Sequence, residues 1–277
     1  FVRHWGVEGA AIATITSQMS SAVVLTLYFL RPSRGNPRHM RLRRAYRRPD
    51  WYLVRRAMAL GVSSGITQSV GCIMQVVMNN SLVHYGDQSA IGGDVALSAM
   101  GIVMKIAMIM AAFGIGVGIG AQPILGFNYG ANQWARVKDT LYKGIWIGAG
   151  ITSLGCFLTE VFPDEMSRLF TVDESLIAIA REGFRVYFIC YPVVGCQIVI
   201  QNFFQSIGKP QISIFLSLTR QLIFLLPFLL LLPRYFGVEG VWMSMAGSDL
   251  LAFLVAVVTM VIMLSRQERM LKRMGPV

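Results

Sequence analysis

Charge is scarce in this chain. Of its 277 residues only 14% are Asp, Glu, Lys or Arg, where an ordinary soluble domain carries about 25%. Histidine is scarcer still, with His4, His39 and His84 scattered and no HExxH, so a zinc hydrolase has no ligand set. All three lie outside the apolar runs, which leaves a membrane enzyme without a Ser/His/Asp constellation. Cys72, Cys156, Cys190 and Cys196 show no CxxC spacing and sit inside apolar stretches, so they read as small packing residues. A chain this poor in charge is not disordered.

Apolar residues are what it has in excess. They make up 55% of the chain, with 27 glycines besides, and the mean hydropathy is +0.56. A water-soluble fold of this size has too little interior for that much apolar surface. The composition predicts an all-α, polytopic membrane protein.

A hydrocarbon core of ~30 Å needs about 20 helical residues. Seven apolar runs meet that length, at 10–30, 54–81, 95–121, 142–162, 184–206, 211–232 and 239–264, here lettered A to G. Run A lacks the basic leader and cleavage site of a signal peptide. Alternating spans place 18 Lys/Arg on one side, ten of them between Arg31 and Arg56, and 4 on the other. The positive-inside rule then puts the A–B loop and the C-terminus in the cytoplasm. The surplus of basic charge (25 Lys+Arg against 14 Asp+Glu) is an orientation signal, not a nucleic-acid footprint.

An internal repeat organises these runs. Arg3-His4-Trp5-Gly6-Val7-Glu8-Gly9 matches Arg234-Tyr235-Phe236-Gly237-Val238-Glu239-Gly240, and Ser17 aligns with Ser248 at the same offset. Runs A and G therefore occupy equivalent places in two parallel repeats, as in secondary transporters. Runs B to G make one whole repeat and A the last helix of another. That count predicts twelve spans in all, with about five, or roughly 190 residues, ahead of Phe1. The expected division is 1–30 as the last helix of an N-terminal lobe, 31–53 as a basic inter-lobe loop, 54–264 as a six-helix lobe and 265–277 as a tail.

Motifs at the span ends point further. Run C ends Gly120-Ala121-Gln122-Pro123-Ile124-Leu125-Gly126-Phe127-Asn128-Tyr129-Gly130-Ala131, and run F opens Gly208-Lys209-Pro210-Gln211. Together with the GVEG segments before runs A and G, these resemble the multidrug and toxic-compound extrusion (MATE) exporters over the family's sixth to twelfth helices. The resemblance implies two six-helix lobes around a central cavity, in the cytoplasmic membrane of a bacterium. It further implies antiport of cationic, often aromatic drugs, hence antibiotic resistance, against Na⁺ or H⁺, with no cofactor beyond that coupling ion. The partners implied are drugs, the lipid bilayer and the missing N-terminal lobe, with no nucleic acid. A flippase for lipid-linked precursors or polysaccharide, from the same superfamily, is the alternative. A seven-span photoreceptor needs a lysine in its last span, and run G has none.

Amides and charges inside the runs are the candidate site residues, because polar groups in hydrocarbon are costly unless they face protein or water. Gln68, Gln75 and Asn79 share one face of run B, and Gln197, Gln201 and Gln205 are spaced i, i+4, i+8 on run E. Either stripe is read two ways, as a cavity wall that holds substrate or as helix-to-helix bonding. Tyr187 and Tyr191 are suited to stacking on a cation or to core packing. Arg220 and Asp249 reach the same depth from opposite ends of runs F and G, which makes an ion pair plausible, and Lys105 lies within run C. These three read as structural or gating charges. Gly114/Gly118 and Gly116/Gly120 form GxxxG pairs for close helix approach, and Pro123 with Gly126 is expected to end run C. In some branches of the family the cation site uses carboxylates in the seventh and tenth helices, but runs B and E contain no Asp or Glu. In others it is an Asp of the first helix. The expected coupling carboxylate therefore belongs to the N-terminal lobe.

Overall fold

The computed structural model describes residues 6–30, 50–89 and 91–274, and no strand occurs among them. The elements are α1 (Gly6–Leu30), α2 (Trp51–Asp87), α3 (Gly93–Gly130), α4 (Trp134–Val161), α5 (Pro163–Arg168), α6 (Glu174–Phe188), α7 (Tyr191–Ser206), α8 (Pro210–Leu218), a π-helical stretch (Thr219–Leu225) and α9 (Leu226–Met274). Windows in α1, α3, α4 and the stretch Pro210–Arg269 are long and apolar enough to cross a membrane, and the bent pair α6–α7 makes a fifth. The chain is an all-α polytopic membrane protein. Apolar side chains cover its outer surface: Met108, Phe127, Trp146 and Phe157 are all exposed. Lipid, not water, is the solvent such a surface suits.

Three runs depart from simple spans. Run E breaks at Ile189–Cys190, where α6 and α7 meet at 55°, and Pro192 at the start of α7 tolerates the break because it needs no N–H partner there. Run C does not end at Pro123 but continues as helix to Gly130. A membrane helix can carry a proline in this way, since packed neighbours steady the turn that loses a bond. The end of run F and all of run G lie within α9, yet Gly237 takes φ 56°, ψ −133°, a conformation open to glycine and strained for other residues. Gly240 then lies so close to Leu232 and Pro233 that a Cβ would sit 2.6 Å from the Leu232 carbonyl. The second GVEG motif is therefore a tight reversal that folds run G back on run F. Its counterpart Gly6 is where α1 begins, while Arg3, His4 and Trp5 lie outside the described residues, as does most of the basic A–B segment.

Two compact units divide the chain, residues 1–60 and 61–277. In the first, Ile12, Ile15, Met19 and Val23 on α1 are exposed. Asp50 starts α2 by accepting from the Tyr52 N–H at 3.0 Å. The second unit has two apolar clusters. One centres on Trp242, with Met74, Met78 and Leu82 of α2, Met100 and Val103 of α3, and Phe184 and Phe188 of α6. The other centres on Phe203 and Phe204, with Leu125, Leu141 and Met260. Between the spans of runs D and E lie the short α5 and the start of α6. Asp173 caps α6: its Oδ1 accepts from the Ser175 N–H at 2.9 Å and from the Ser175 hydroxyl at 2.7 Å. These bonds favour the ionised carboxylate and hold Asp173 below the usual carboxylate range. Residues 265–274, expected as a tail, extend α9.

Candidate functional site

The two apolar clusters leave a polar waist between them. Along α9, Asp249 falls after Met245 of the Trp242 cluster and before Ala256 of the Phe203 cluster. Along α7, Gln197 falls between Val194 and Val199 in the same way. Arg220, on the π-helical stretch, lies between Leu216 and Leu225. The helices thus bring their polar residues to one level, where lipid would surround the lobe on its outer side.

Asp249 is 1% exposed, and its Oδ1 accepts from Arg220 Nε at 2.5 Å. The ion pair anticipated from the sequence is present. Tyr187, Cys190 and Tyr191, on either side of the break in run E, lie within electrostatic reach of Asp249. Tyr187 and Tyr191 are buried and pack edge to face at 5.6 Å, and the Tyr191 hydroxyl donates to the Ala107 carbonyl of α3. Here they are core aromatics beside an ion pair. Lys105 is elsewhere: it is exposed, with Nζ 5.5 Å from the ring centroid of Phe170, a residue between α5 and α6. That contact at an inter-helix connection differs from the mid-depth place its position in run C suggests.

The two amide stripes have different surroundings. On α2, Gln68 and Gln75 are exposed and Asn79 is half-buried, with Gln75 Nε2 donating to Asn79 Oδ1 at 3.0 Å. The interior-facing residues of α2 are instead Met74, Met78 and Leu82. On α7, Gln197 is 2% exposed, and neither its Oε1 nor its Nε2 has a partner among the described residues. Gln201 is half-buried, and Gln205 is exposed and donates to Ser213 Oγ at 3.1 Å. A step of four residues turns about 40° beyond a full helical turn, so an i, i+4, i+8 stripe rotates from core to surface.

Several site neighbours have no counterpart in the sequence reading. Asn202 accepts from Gln122 of the QPxxG segment at 2.9 Å and donates to the Ile198 carbonyl, tying α7 to α3. A Cβ on Gly118 would meet the Asn202 amide at 2.6 Å and one on Gly114 would touch Ile198 at 3.5 Å, so this GxxxG pair faces α7. A Cβ on Gly116 or Gly120 would meet nothing within 4 Å among the described residues, so that pair packs against no helix there. The closest crossing lies between α4 and α7, where a Cβ on Gly195 would be 2.3 Å from the Gly148 carbonyl and Thr152 Oγ1 reaches the Pro192 carbonyl at 3.2 Å. Gly144-xxx-Gly148 in run D is the signal that could have found it.

A bundle of membrane-crossing helices with broken spans and a polar waist at mid-depth has the architecture of a secondary transporter. The MatE family model matches residues 66–231, more than half of the chain. The chain belongs to that family. It is 24% identical over 203 residues to the probable multidrug resistance protein YoeA of Bacillus subtilis, covering 73% of this chain and 42% of that protein. It is 22% identical over 262 residues to the multidrug export protein MepA of Staphylococcus aureus, covering 94% of this chain and 55% of MepA. In fold it resembles a crystal structure of MATE in complex with MaL6, with TM-score 0.82 at 18% identity, covering 96% of this chain and 58% of that one. An outward-facing multidrug resistance MATE family transporter gives TM-score 0.81 at 18% identity, with 95% and 57% covered. The chain spans about half the length of the relatives it matches.

Proposed function

We propose that this chain is part of a secondary-active multidrug efflux transporter that exports cationic or aromatic compounds by antiport with Na⁺ or H⁺. In this reading it acts as a transporter and not as an enzyme, in a bacterial cytoplasmic membrane with its C-terminus in the cytoplasm. The observation that carries the substrate reading is Gln197. A buried amide without partners costs about 1–3 kcal/mol, so a protein that keeps one gains by offering it to a ligand. Gln201 on the same helix, with the exposed Gln68 and Gln75 and the half-buried Asn79 of α2, adds amide donors and acceptors for polar atoms of a drug. Such groups orient many substrates without selecting one.

Energy coupling needs a site where ion and substrate compete and two states that each ligand biases. Asp249 is an unsuitable coupling carboxylate, because Arg220 already neutralises it. We assign the pair to lobe packing or gating, and the coupling carboxylate to a part of the transporter outside this chain. A flippase for pyrophosphate-linked lipids is less well served, since its cavity needs free cations, whereas Arg220 is paired and Lys105 lies over Phe170.

The test is drug binding by the transporter at its full natural length carrying Gln197→Leu and Gln201→Leu. Each hydrogen bond lost costs about 0.5–1.5 kcal/mol, so affinity for a fluorescent cationic dye should fall roughly two- to tenfold per site. Unchanged affinity for every drug tried in the double variant would refute the assignment.

A further inference from the structure

A cavity of about 390 Å³ lies away from the waist, where the start of α8 meets the C-terminal third of α9. Its α9 wall is Thr259, Ile262, Met263 and Arg266, spaced so that all four share one helical face. Across from them are Ile212 of α8 and Lys209, the residue that precedes that helix. Its chemistry is divided, with a basic mouth and an apolar wall.

The charges are unopposed. Neither Lys209 nor Arg266 forms an ion pair among the described residues, and no acid lines the cavity. Glu268, the acid next along α9, is held by Lys138 of α4 at 2.5 Å. The positive end of the α8 dipole points the same way as Lys209. Two cations without a counter-ion repel a cationic drug and attract an anion. Ile212, Ile262 and Met263 suit a hydrocarbon chain, which inorganic phosphate lacks.

We propose that this cavity binds an anionic phospholipid, with its phosphate between Lys209 and Arg266 and an acyl chain along Ile212, Ile262 and Met263. A lipid held there would bridge the start of α8 and the end of α9. Those segments lead into Arg220 and Asp249 respectively, so the site is placed to influence the pair without touching it.

The experiment uses the transporter at its full natural length in mild detergent, titrated with phosphatidylglycerol and, separately, with phosphatidylcholine, with bound lipid counted by native mass spectrometry. Lys and Arg near an anionic lipid surface each contribute about fivefold, so Lys209→Gln/Arg266→Gln should weaken phosphatidylglycerol binding roughly thirtyfold. Arg136→Gln/Lys143→Gln removes the same charge outside the cavity and should change binding less than about twofold. Phosphatidylcholine should bind weakly, and excess inorganic phosphate should leave the lipid in place. Equal loss in both double variants would reduce the effect to net charge and overturn the site. Complete displacement by phosphate, or equal binding of the zwitterionic lipid, would overturn the choice of ligand.

Discussion

The waist around α7 and the open stripe of α2 carry the same residue type and treat it in opposite ways. On α2, Gln75 and Asn79 bond to each other at a surface, while methionines and leucine face the core. On α7, Gln197 is enclosed with no bond among the described residues, two positions after Gly195, where a helix crossing leaves no room for a Cβ. An amide in a membrane helix is thus no indicator of function on its own. What distinguishes the two is whether the surrounding packing satisfies the amide or strands it. The Gln75–Asn79 pair already commits one bond to itself, whereas the stranded amide has its whole hydrogen-bonding capacity left for a ligand.

The largest effect should come from the waist charges. Asp249→Ala leaves Arg220 without its partner, and breaking a buried pair typically costs about 3–5 kcal/mol. Because Arg220 is 35% exposed, the loss should fall at the lower end of that range. Thermal unfolding in detergent should show a large drop for Asp249→Ala and recovery in Asp249→Leu/Arg220→Met. A single variant as stable as wild type would mean the waist is open to water like the α2 stripe.

The helix crossing comes next. Gly195→Ala places a Cβ against the Gly148 carbonyl and should destabilise by about 1–3 kcal/mol. Gly116→Ala has space and gains helix propensity, so it should be neutral or slightly stabilising. Equal effects at the two glycines would show that α4 and α7 do not cross closely. The amides themselves give a smaller and sharper contrast. Gln197→Leu removes a stranded polar group and should stabilise by about 1 kcal/mol while weakening drug binding. The exposed Gln75→Leu should stay within about 0.5 kcal/mol of wild type. Stabilisation by both, or by neither, would erase the distinction between the stripes.

Asp173 supplies the smallest effect, at a helix start away from both regions. Its carboxyl is held below the usual range by Ser175, so the cap stabilises the fold above the unfolded carboxyl pKa. That contribution is lost as pH falls through the lowered folded value. The difference in melting temperature between wild type and Asp173→Ala should therefore be present at neutral pH and shrink in acid, whereas a pH-independent difference would point to lost helix contacts instead.

Much of this was legible in the sequence. Scarce charge and long apolar runs determine the class of fold, and the matched depths of Arg220 and Asp249 foretell their pairing. The break in run E is invisible because hydrophobicity continues unbroken across Ile189 and Cys190. Run C reads through Pro123 because neighbours absorb the missing bond, which local propensity cannot anticipate. The fates of the two stripes were not legible, since periodicity identifies a face but not what lies opposite it. Asn202 was missed because its partner Gln122 is 80 positions away.

As proposed, the waist pair holds or gates this lobe and does not carry the coupling ion. The most direct measurement is drug efflux by the transporter at its full natural length carrying Asp249→Asn/Arg220→Gln, which removes both charges and strands neither. Reconstituted in vesicles under an imposed Na⁺ or pH gradient, and compared at equal protein, this variant should still export drug in response to the gradient. Normal folding and drug binding with all gradient-driven efflux abolished, and with Na⁺ or H⁺ no longer displacing bound drug, would place the coupling site at Asp249 and contradict the account.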